Sequence, residues 1–577
     1  MRKILLPVIE NFPLFVISML LFGGLDVIYH QYLFSENEWG AILTAYGEIT
    51  LMSYLVCIAA YLLRKIHPKV LFYIVLLAVY ITNFYLRYAF TTDISPKIVL
   101  LLFETNSKEV SGFFRTYFMT PAMYKTVAVL AVLLILIIVG ERLRSWISVV
   151  MDKTAGRLAI ATILLFGVIV GASAVPRYWR LLGCADSYQA ERWLMDIPFR
   201  KRMPIPNLSY SLQAIRLSGQ DLYHMINATK ASLDDVGCEE TDSLNIILVI
   251  GESYNKHHAS LYGYYLDTTP AMCAEADRGN LYAFNRVKAP HNMTSIVLKN
   301  VLCCNDVHED EKWCYSPYFP AIFKQAGYDV WFWDNQYKWD PDAAWAFTLN
   351  SILFNDEIKR LSYTAVNDEG ATYDGGLVSN FERTVMKKTG PRNLIVFHLG
   401  GQHFLASTQY PHEPAYEVFS AKDVKDTADY LTDESRQRIA EYANATRYND
   451  SVIRQMMDLV RETNAVLIYF PDHGEEIYDY RDFYGRQLLG EDQVTPELIE
   501  HQIEIPFIVW CSDKWKLSHE AEWEAVGKAV DREFSTDNIC HMLFRLAGIR
   551  TREYKAERDL LSPAFKPQTK PYNMLAL

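Results

Sequence analysis

The stretch AVLIYFPDHGEE, residues 465–476, decides the fold. Residues 466–470 are β-branched and aromatic, end at Pro471, and read as a strand buried on both faces of a parallel sheet. The chain then presents an acid and an imidazole side by side, Asp472 and His473, and Gly474 lets the backbone turn tightly. In open α/β sheets the ligand crevice lies outside the carboxyl ends of the strands. An oxygen and a nitrogen donor there suit a cation such as Zn²⁺. The same three residues also suit a capped turn with a surface histidine, so other strand ends must decide.

Four further strands are predicted after residue 242. Residues 244–250 run into Gly251-Glu252-Ser253, 330–333 into Asp334-Asn335-Gln336, and 394–397 into His398-Leu399-Gly400-Gly401-Gln402-His403; 505–510 form another. A doubly wound sheet gathers one site from such ends. Glu252, Asp334, His403, Asp472 and His473 are therefore expected to converge, and their mixture of carboxylates and imidazoles points to metal. Ser253 lies in GESYN, which is not the G-x-S-x-G of a nucleophile elbow. In RVKAPHNMTSIVLKNVL, residues 286–302, Thr294 and Ser295 open an apolar helical run. A hydroxyl there is either a plain N-cap or a group facing a phosphate at a helix amino terminus. To act as a nucleophile it needs a base or a bound metal.

The 577 residues divide into an apolar first part and a remainder of ordinary soluble composition. A net charge of −12 and the lack of a basic, aromatic-interleaved stripe exclude nucleic-acid binding. Apolar segments at 12–29, 41–63, 70–90, 124–140 and 158–175 approach the ~20 residues needed to cross a bilayer. Arg2, Lys3, Arg64, Lys65, Lys69, Arg142, Arg144, Lys153 and Arg157 fall on one side, which places the amino terminus in the cytoplasm and everything after the fifth span outside. Asp26 and Glu48 lie within spans and mark either a functional position or a paired one. The amphipathic loop LFETNSKE at 102–109, with Glu104 and Asn106, precedes the aromatic patch Phe113, Phe114, Tyr117 and Phe118, and suits the headgroup layer. Residues 1–175 are thus a membrane domain, 176–240 a membrane-surface linker rich in Arg, Tyr and Trp, and 241–577 a catalytic domain. Eight of the nine cysteines lie beyond the spans, and some pairing is expected in an oxidising compartment.

Five motifs together resemble the bacterial phosphoethanolamine transferases of the alkaline phosphatase/sulfatase superfamily. They are IGESYNKHHASLYGYYLDTTP (250–270), FKQAGYDVWFWDNQ (323–336), HLGGQHF (398–404), PDHGEEIYDY (471–480) and IEIPFIVW (503–510); FETNSKE resembles the family's lipid-side segment. The resemblance covers the whole chain. It implies an α-helical membrane domain of five transmembrane helices plus a periplasmic α/β alkaline-phosphatase-like (sulfatase) domain with a central, mostly parallel sheet. It also implies a bacterial inner-membrane enzyme that moves phosphoethanolamine from phosphatidylethanolamine to a lipopolysaccharide acceptor, lipid A or a core sugar, through a phospho-threonine intermediate. By motif position, Glu252, Asp472 and His473 ligate zinc, with Thr294 as nucleophile and fourth ligand. His403 and Asp334 fall at a second metal or a phosphate-stabilising site, and Glu104 and Asn106 on the lipid side. Two departures stand out. The lipid A branch has Cys-Gly-Thr where this chain has His291-Asn292-Met293-Thr294, which opens the acceptor to groups other than lipid A. A histidine that follows DHGE in that branch has no counterpart here; Arg486 stands nearby and His501 farther on. A phosphoglycerol transferase of the same fold and an inactive membrane-anchored binding module are the alternatives. A true sulfatase is excluded because the C/S-x-P-x-R context is missing.

Overall fold

A computed structural model describes the chain except residues 1, 25, 27–38, 65–67, 91–92, 97, 100–120, 172–173, 186–188, 191–192, 195–202, 310, 337–348, 350–351, 404, 487–494 and 569–577. Glu104 and Asn106 lie outside the described residues. The chain forms two compact units that meet in sequence at Gln220 and Asp221.

Among the described residues of the first unit, four helices are long and apolar enough to cross a membrane: α3 (Trp39–Leu62), α4 (Lys69–Phe90), α5 (Pro121–Arg142) and α7 (Thr154–Gly171). The expected first span is different. It is a bent pair, α1 (Arg2–Glu10) and α2 (Phe12–Met19, continued to Gly24), with a 75° break, so the unit has five crossings only if that pair counts as one. Short helix α6 (Arg144–Met151) precedes α7, and α8 (Ala174–Gly183) follows it. Lipid tails offer no hydrophobic drive between helices, so α3 and α7 associate through close backbone approach. A Cβ on Gly47 would collide with Val170, and one on Gly171 with the Gly47 carbonyl. Ion pairs close both ends of the bundle. At one, Asp152 accepts from Arg2 at 2.8 Å and Arg157 at 2.9 Å. At the other, Arg87 sits between Asp26 and Asp93, with Asn83 donating to Asp93 at 2.9 Å. Asp26 therefore has a paired, structural role, and Glu48 is fully buried within α3. The stretch expected as a linker contains a 29-residue helix, α9 (Pro204–Ser232), which runs through the boundary between the units.

The second unit is built on a seven-stranded sheet. Its strands are β1 (Leu244–Gly251), β2 (Leu281–Phe284), β3 (Asp329–Asp334), β4 (Ala365–Val366), β5 (Arg392–His398), β6 (Ala465–Pro471) and β7 (Phe507–Cys511), in spatial order β2-β7-β6-β1-β5-β3-β4. All neighbours pair in parallel except β7, which is antiparallel to both β6 and β2. The alternating side chains of β1 fill two cores. Leu244, Ile246, Leu248 and Ile250 pack with α11 (Thr294–Val301), α12 (Phe319–Gln325) and α15 (Ile539–Leu546); Ile247 and Val249 pack under α14 (Asp433–Val460). Helices α10 (Pro270–Asp277) and α13 (Asp374–Thr384) pack against α14 and complete the second face.

No disulfide links any of the nine cysteines in this structure, where some pairing is expected from the sequence, and Cys304 and Cys540 lie in contact. Most are buried in apolar surroundings, where cysteine packs as a small hydrophobe. Replacing Gly171 by leucine is expected to force α3 and α7 apart and destabilise the membrane unit by about 1–3 kcal/mol. Thermal unfolding of the full chain in detergent checks this; an unchanged Tm would contradict the close crossing.

Candidate active site

Strand register brings the site together. Central β1 pairs with β6 so that Gly251 faces Pro471, and with β5 so that Ile250 faces His398. Asp472 N–H continues the ladder to the Gly251 carbonyl at 3.0 Å. The next residues, Glu252 on one strand end and Asp472-His473 on the other, must therefore emerge at the same level. All three are fully buried.

Thr294 arrives from outside the sheet. It is the first residue of α11, whose apolar face (Val297, Leu298, Val301) is anchored in the core beneath β1. Preceding Asn292 donates to Gln502 at 2.9 Å, Gln502 to Glu476 at 3.2 Å, and Arg481 grips Glu476 with two bonds of 2.7 and 2.9 Å. This chain of polar contacts fixes the turn before α11 against the segment after His473. Ser295 is buried and makes no contact with the three strand-end donors, so Thr294 is the hydroxyl that enters the site.

Hydrogen bonding sets the chemistry of each donor. His473 Nδ1 lies 2.8 Å from the Gly474 carbonyl, which can only accept, so the ring proton is on Nδ1 and Nε2 carries a lone pair. That Nε2 faces Glu252 Oε1 at 3.3 Å, Asp472 Oδ2 at 3.1 Å and Thr294 Oγ1 at 3.3 Å; Thr294 Oγ1 is also 3.1 Å from Glu252 Oε2. Asp472 Oδ2 is buried with no hydrogen bond, because Oδ1 takes the N–H groups of Ser253 and His473 at 3.2 and 2.8 Å. Electron-rich atoms crowded this way repel unless a cation lies among them. Ligands about 2.0–2.1 Å from a tetrahedral Zn²⁺ stand roughly 3.3 Å from one another, close to the 3.1–3.3 Å from His473 Nε2 to its three neighbours. The residues thus fit a zinc-like cation, and Glu252, Asp472 and His473 are the group of His, Cys, Asp and Glu side chains among the described residues placed to hold one.

The charge balance agrees. Burial would raise the Glu252 carboxyl, but the charges of His473, His403 and Arg486 outweigh it and hold the group well below the usual carboxylate range. Burial and Arg486 push the His473 imidazole down, while Asp472 and Glu252 pull it up further, leaving it above its ordinary value. The site is polarised to keep the Glu252 carboxylate ionised.

A second layer holds the donors. Gln336 Nε2 donates to Glu252 Oε2 at 2.7 Å and to the Leu399 carbonyl at 2.8 Å; Ser253 Oγ donates to Glu252 Oε1 at 2.6 Å. Ser253 adopts φ 53°, a left-handed conformation that costs a side-chain-bearing residue energy and recurs at functional sites. Gly401, at φ 52°, lies so close to the Glu252 backbone that a Cβ would overlap it. Asp374 fixes that loop by accepting the Gly400 and Gly401 N–H groups, both at 2.9 Å. Gly474 is needed for a different reason from the one expected. Its φ is not positive; a Cβ there would instead strike the His501 carbonyl.

Of the other expected residues, Asp334 is committed to His398, 2.6 Å from its Nδ1, and does not join the three-donor group. His403 is half-buried and close enough for its charge to act on Glu252. Sequence reasoning passed over His398 and gave Arg486 no role. His398 is buried at the end of β5, and its Nε2 has no hydrogen-bond partner. Burial pushes its pKa down, and the bond to Asp334 more than reverses that. The strand-end rule itself points to His398, which ends β5. Arg486 donates to His473 Nε2 at 2.6 Å and to the Asn292 carbonyl at 3.2 Å, and lies 3.4 Å from Glu475. No motif announces it; only the turn after β6 brings it back.

Comparison with known proteins follows the same lines. The family described as Sulfatase matches residues 244–549. Phosphoethanolamine transferase EptC of Escherichia coli O18:K1:H7 is 27% identical over 498 residues, 84% of this chain and 81% of the relative. The Kdo(2)-lipid A phosphoethanolamine 7''-transferase of Escherichia coli K12 is 24% identical over 394 residues, 65% of this chain and 62% of the relative. Among solved structures, the C-terminal periplasmic domain of EcEptC from Escherichia coli superposes with a TM-score of 0.50 at 28% identity, covering 58% of this chain and 91% of that one.

Two measurements follow. The purified chain is expected to carry about one zinc-like cation, read by inductively coupled plasma mass spectrometry. Asp472→Asn and His473→Ala should lose it, Ser295→Ala should keep it, and Gln336→Ala should weaken it roughly 10–100-fold by loosening Glu252. Behind the site, burial would raise Asp479, but His258 (2.9 Å) and His501 hold its carboxyl down at about 2. A depressed carboxylate adds stability above its unfolded pKa of ~3.9 and loses it as pH falls through the folded value. Denaturation of the wild type should thus lose about 2 kcal/mol between roughly pH 4 and pH 2 that Asp479→Asn lacks; parallel curves for the two proteins would refute the pairing.

Proposed function

The chain belongs to the sulfatase family, and from that premise we propose that it is a membrane-anchored phosphoethanolamine transferase whose nucleophile is Thr294. The observation that carries this reading is the position of Thr294 Oγ1, 3.1 Å from Glu252 and 3.3 Å from His473, at the amino terminus of a buried helix. Phosphoryl transfer is largely a matter of positioning and charge stabilisation, and the site offers both. Relatives named phosphoethanolamine transferases, one of them acting on Kdo(2)-lipid A, support the group transferred and an envelope acceptor.

Glu252, Asp472 and His473 would hold the zinc, with Thr294 beside them. A bound zinc ion lowers the pKa of a hydroxyl and neutralises charge on phosphoryl oxygens. The hydrogen of Thr294 Oγ1 is directed at Glu252 Oε2, which keeps an oxygen lone pair free for attack. The Thr294 oxygen forms a bond to phosphorus as the bond to the diacylglycerol oxygen of phosphatidylethanolamine breaks; that oxygen leaves with the electron pair and takes up a proton. Threonine then carries the phosphoethanolamine. An oxygen of the acceptor attacks phosphorus in turn, and the Thr294 oxygen departs and regains its proton. The α11 amino terminus and the Arg486 guanidinium stand where negative charge builds on the phosphoryl oxygens. His403, half-buried near Glu252, serves as a phosphate-stabilising group, and His398, oriented by Asp334, offers a lone pair inside the site. The Lys/Arg asymmetry of the spans supports a periplasmic position for the domain, where phosphatidylethanolamine of the outer leaflet and lipopolysaccharide acceptors are both within reach.

Incubation of the full chain with labelled phosphatidylethanolamine is expected to yield diacylglycerol and a phosphoethanolamine adduct on the Thr294 peptide. Thr294→Ala should lower turnover about 10³-fold or more, and Thr294→Ser should recover part of it. Diacylglycerol release from phosphatidylglycerol but not phosphatidylethanolamine would assign a phosphoglycerol transferase, and an unchanged rate in Thr294→Ala would rule out the nucleophile.

A further inference from the structure

We propose that the membrane unit carries a second lipid site, at the end of the bundle opposite the Arg87 cluster, which binds a glycerophospholipid with a net negative headgroup from the cytoplasmic leaflet. A cleft of about 690 Å³ opens there between α4 and α5, with the break between α1 and α2 and the end of α3 at its mouth. Pockets of this size hold a small ligand or a headgroup with the start of an acyl chain.

The lining is divided along the membrane normal. The polar end has three cations, Arg64, Lys69 and Arg144, and two carboxylates, Glu10 and Glu141. Glu141 is already satisfied, 3.5 Å from Lys69 and 2.9 Å from the Tyr73 hydroxyl. Arg144 donates only to the Glu10 carbonyl, at 2.7 Å, and Arg64 to the Tyr61 carbonyl, at 3.2 Å, while stacking on the Tyr61 ring. Neither arginine has a carboxylate partner among the described residues, and the cleft is left with a net positive charge facing its opening.

The other end is apolar. Ile74 and Leu77 on α4, and Leu134, Ile137 and Ile138 on α5, continue the same two faces one and two turns deeper. On each helix the polar and apolar lining residues recur at spacings of three or four: 69, 73 and 77 on α4; 134, 137, 138 and 141 on α5. Ile74 and Ile138 are more than half exposed, so the apolar end opens sideways to hydrocarbon. A soluble anion has no use for that half of the cleft; a phospholipid fills both, with its phosphate on Arg64 and Arg144 and an acyl chain along Leu77 and Ile137.

Orientation separates this site from the transfer reaction. Lys69 begins α4 and Arg87 lies near its end, about 27 Å away at 1.5 Å per residue. The start of α9 packs through Leu208 and Ile215 near Leu86, at the Arg87 end of this unit. The cleft lies at the Lys/Arg-rich end, which the charge rule assigns to the cytoplasm. Basic pockets between spans on that side recognise anionic headgroups.

Native mass spectrometry of the full chain, with phosphatidylglycerol, phosphatidylcholine and glycerol 3-phosphate supplied separately, tests the proposal. Phosphatidylglycerol should be retained about tenfold better than phosphatidylcholine, and glycerol 3-phosphate should neither bind nor displace it. The double variant Arg64→Gln/Arg144→Gln should reduce phosphatidylglycerol to the phosphatidylcholine level. Leu77→Trp, which blocks the apolar end and leaves every charge in place, should do the same. Equal retention of the two lipids, wild-type retention in either variant, or displacement by glycerol 3-phosphate would overturn it. Detergent Tm values of both variants establish that each is folded, and either variant alone decides the outcome.

Discussion

The constraint on which the catalytic domain depends is the crowding of His473 Nε2 against Glu252, Asp472 and Thr294 oxygens at 3.1–3.3 Å, with the three strand-end side chains fully buried. Two buried carboxylates and an imidazole lone pair repel one another, and burial of an uncompensated charge is costly. The Thr294 hydroxyl and the Arg486 guanidinium offset part of that cost, and the three donors are placed to hold a cation. Much of the surrounding structure resists the tendency of these groups to part: Gln336 and Ser253 on Glu252, backbone N–H groups on Asp472, the Gly474 carbonyl on His473.

The same constraint explains the strained and close-packed points nearby. Ser253 is held in a left-handed conformation so that its side chain and amide both serve the donors. Gly401 lets the loop after β5 lie on the Glu252 backbone, and Asp374 ties that loop down from α13's first residue. Arg486 completes the charge balance from beyond β6.

The membrane unit solves a separate problem. With no hydrophobic drive between helices in lipid, α3 and α7 rely on Gly47 and Gly171 for contact, and charged residues collect at the two ends of the bundle. At one end Arg87 is paired with Asp26 and Asp93. At the opposite end Arg64 and Arg144 have no carboxylate partner among the described residues and line a cleft that continues into apolar side chains, the asymmetry on which the proposed second lipid site rests.

Sequence alone determined a good deal. Runs such as 244–250 and 466–470 are apolar on both faces and admit one solution, a covered parallel sheet, whose ends then carry Glu252, Asp472 and His473 together. Hydropathy located four spans to within a few residues, because twenty apolar residues in a row have no other stable environment. Tertiary structure decided the rest. The 75° break at the start of the first apolar segment lies at Asn11, whose side chain donates to the Pro7 carbonyl. Whether Asp334 faces the cation or His398 is a matter of which neighbour lies 2.6 Å away, and no local pattern records that. Arg486 reaches His473 only because the chain turns back after β6. Strand identity and strand-end chemistry are local properties of the chain, whereas the partner of a polar side chain is set by residues far away in sequence.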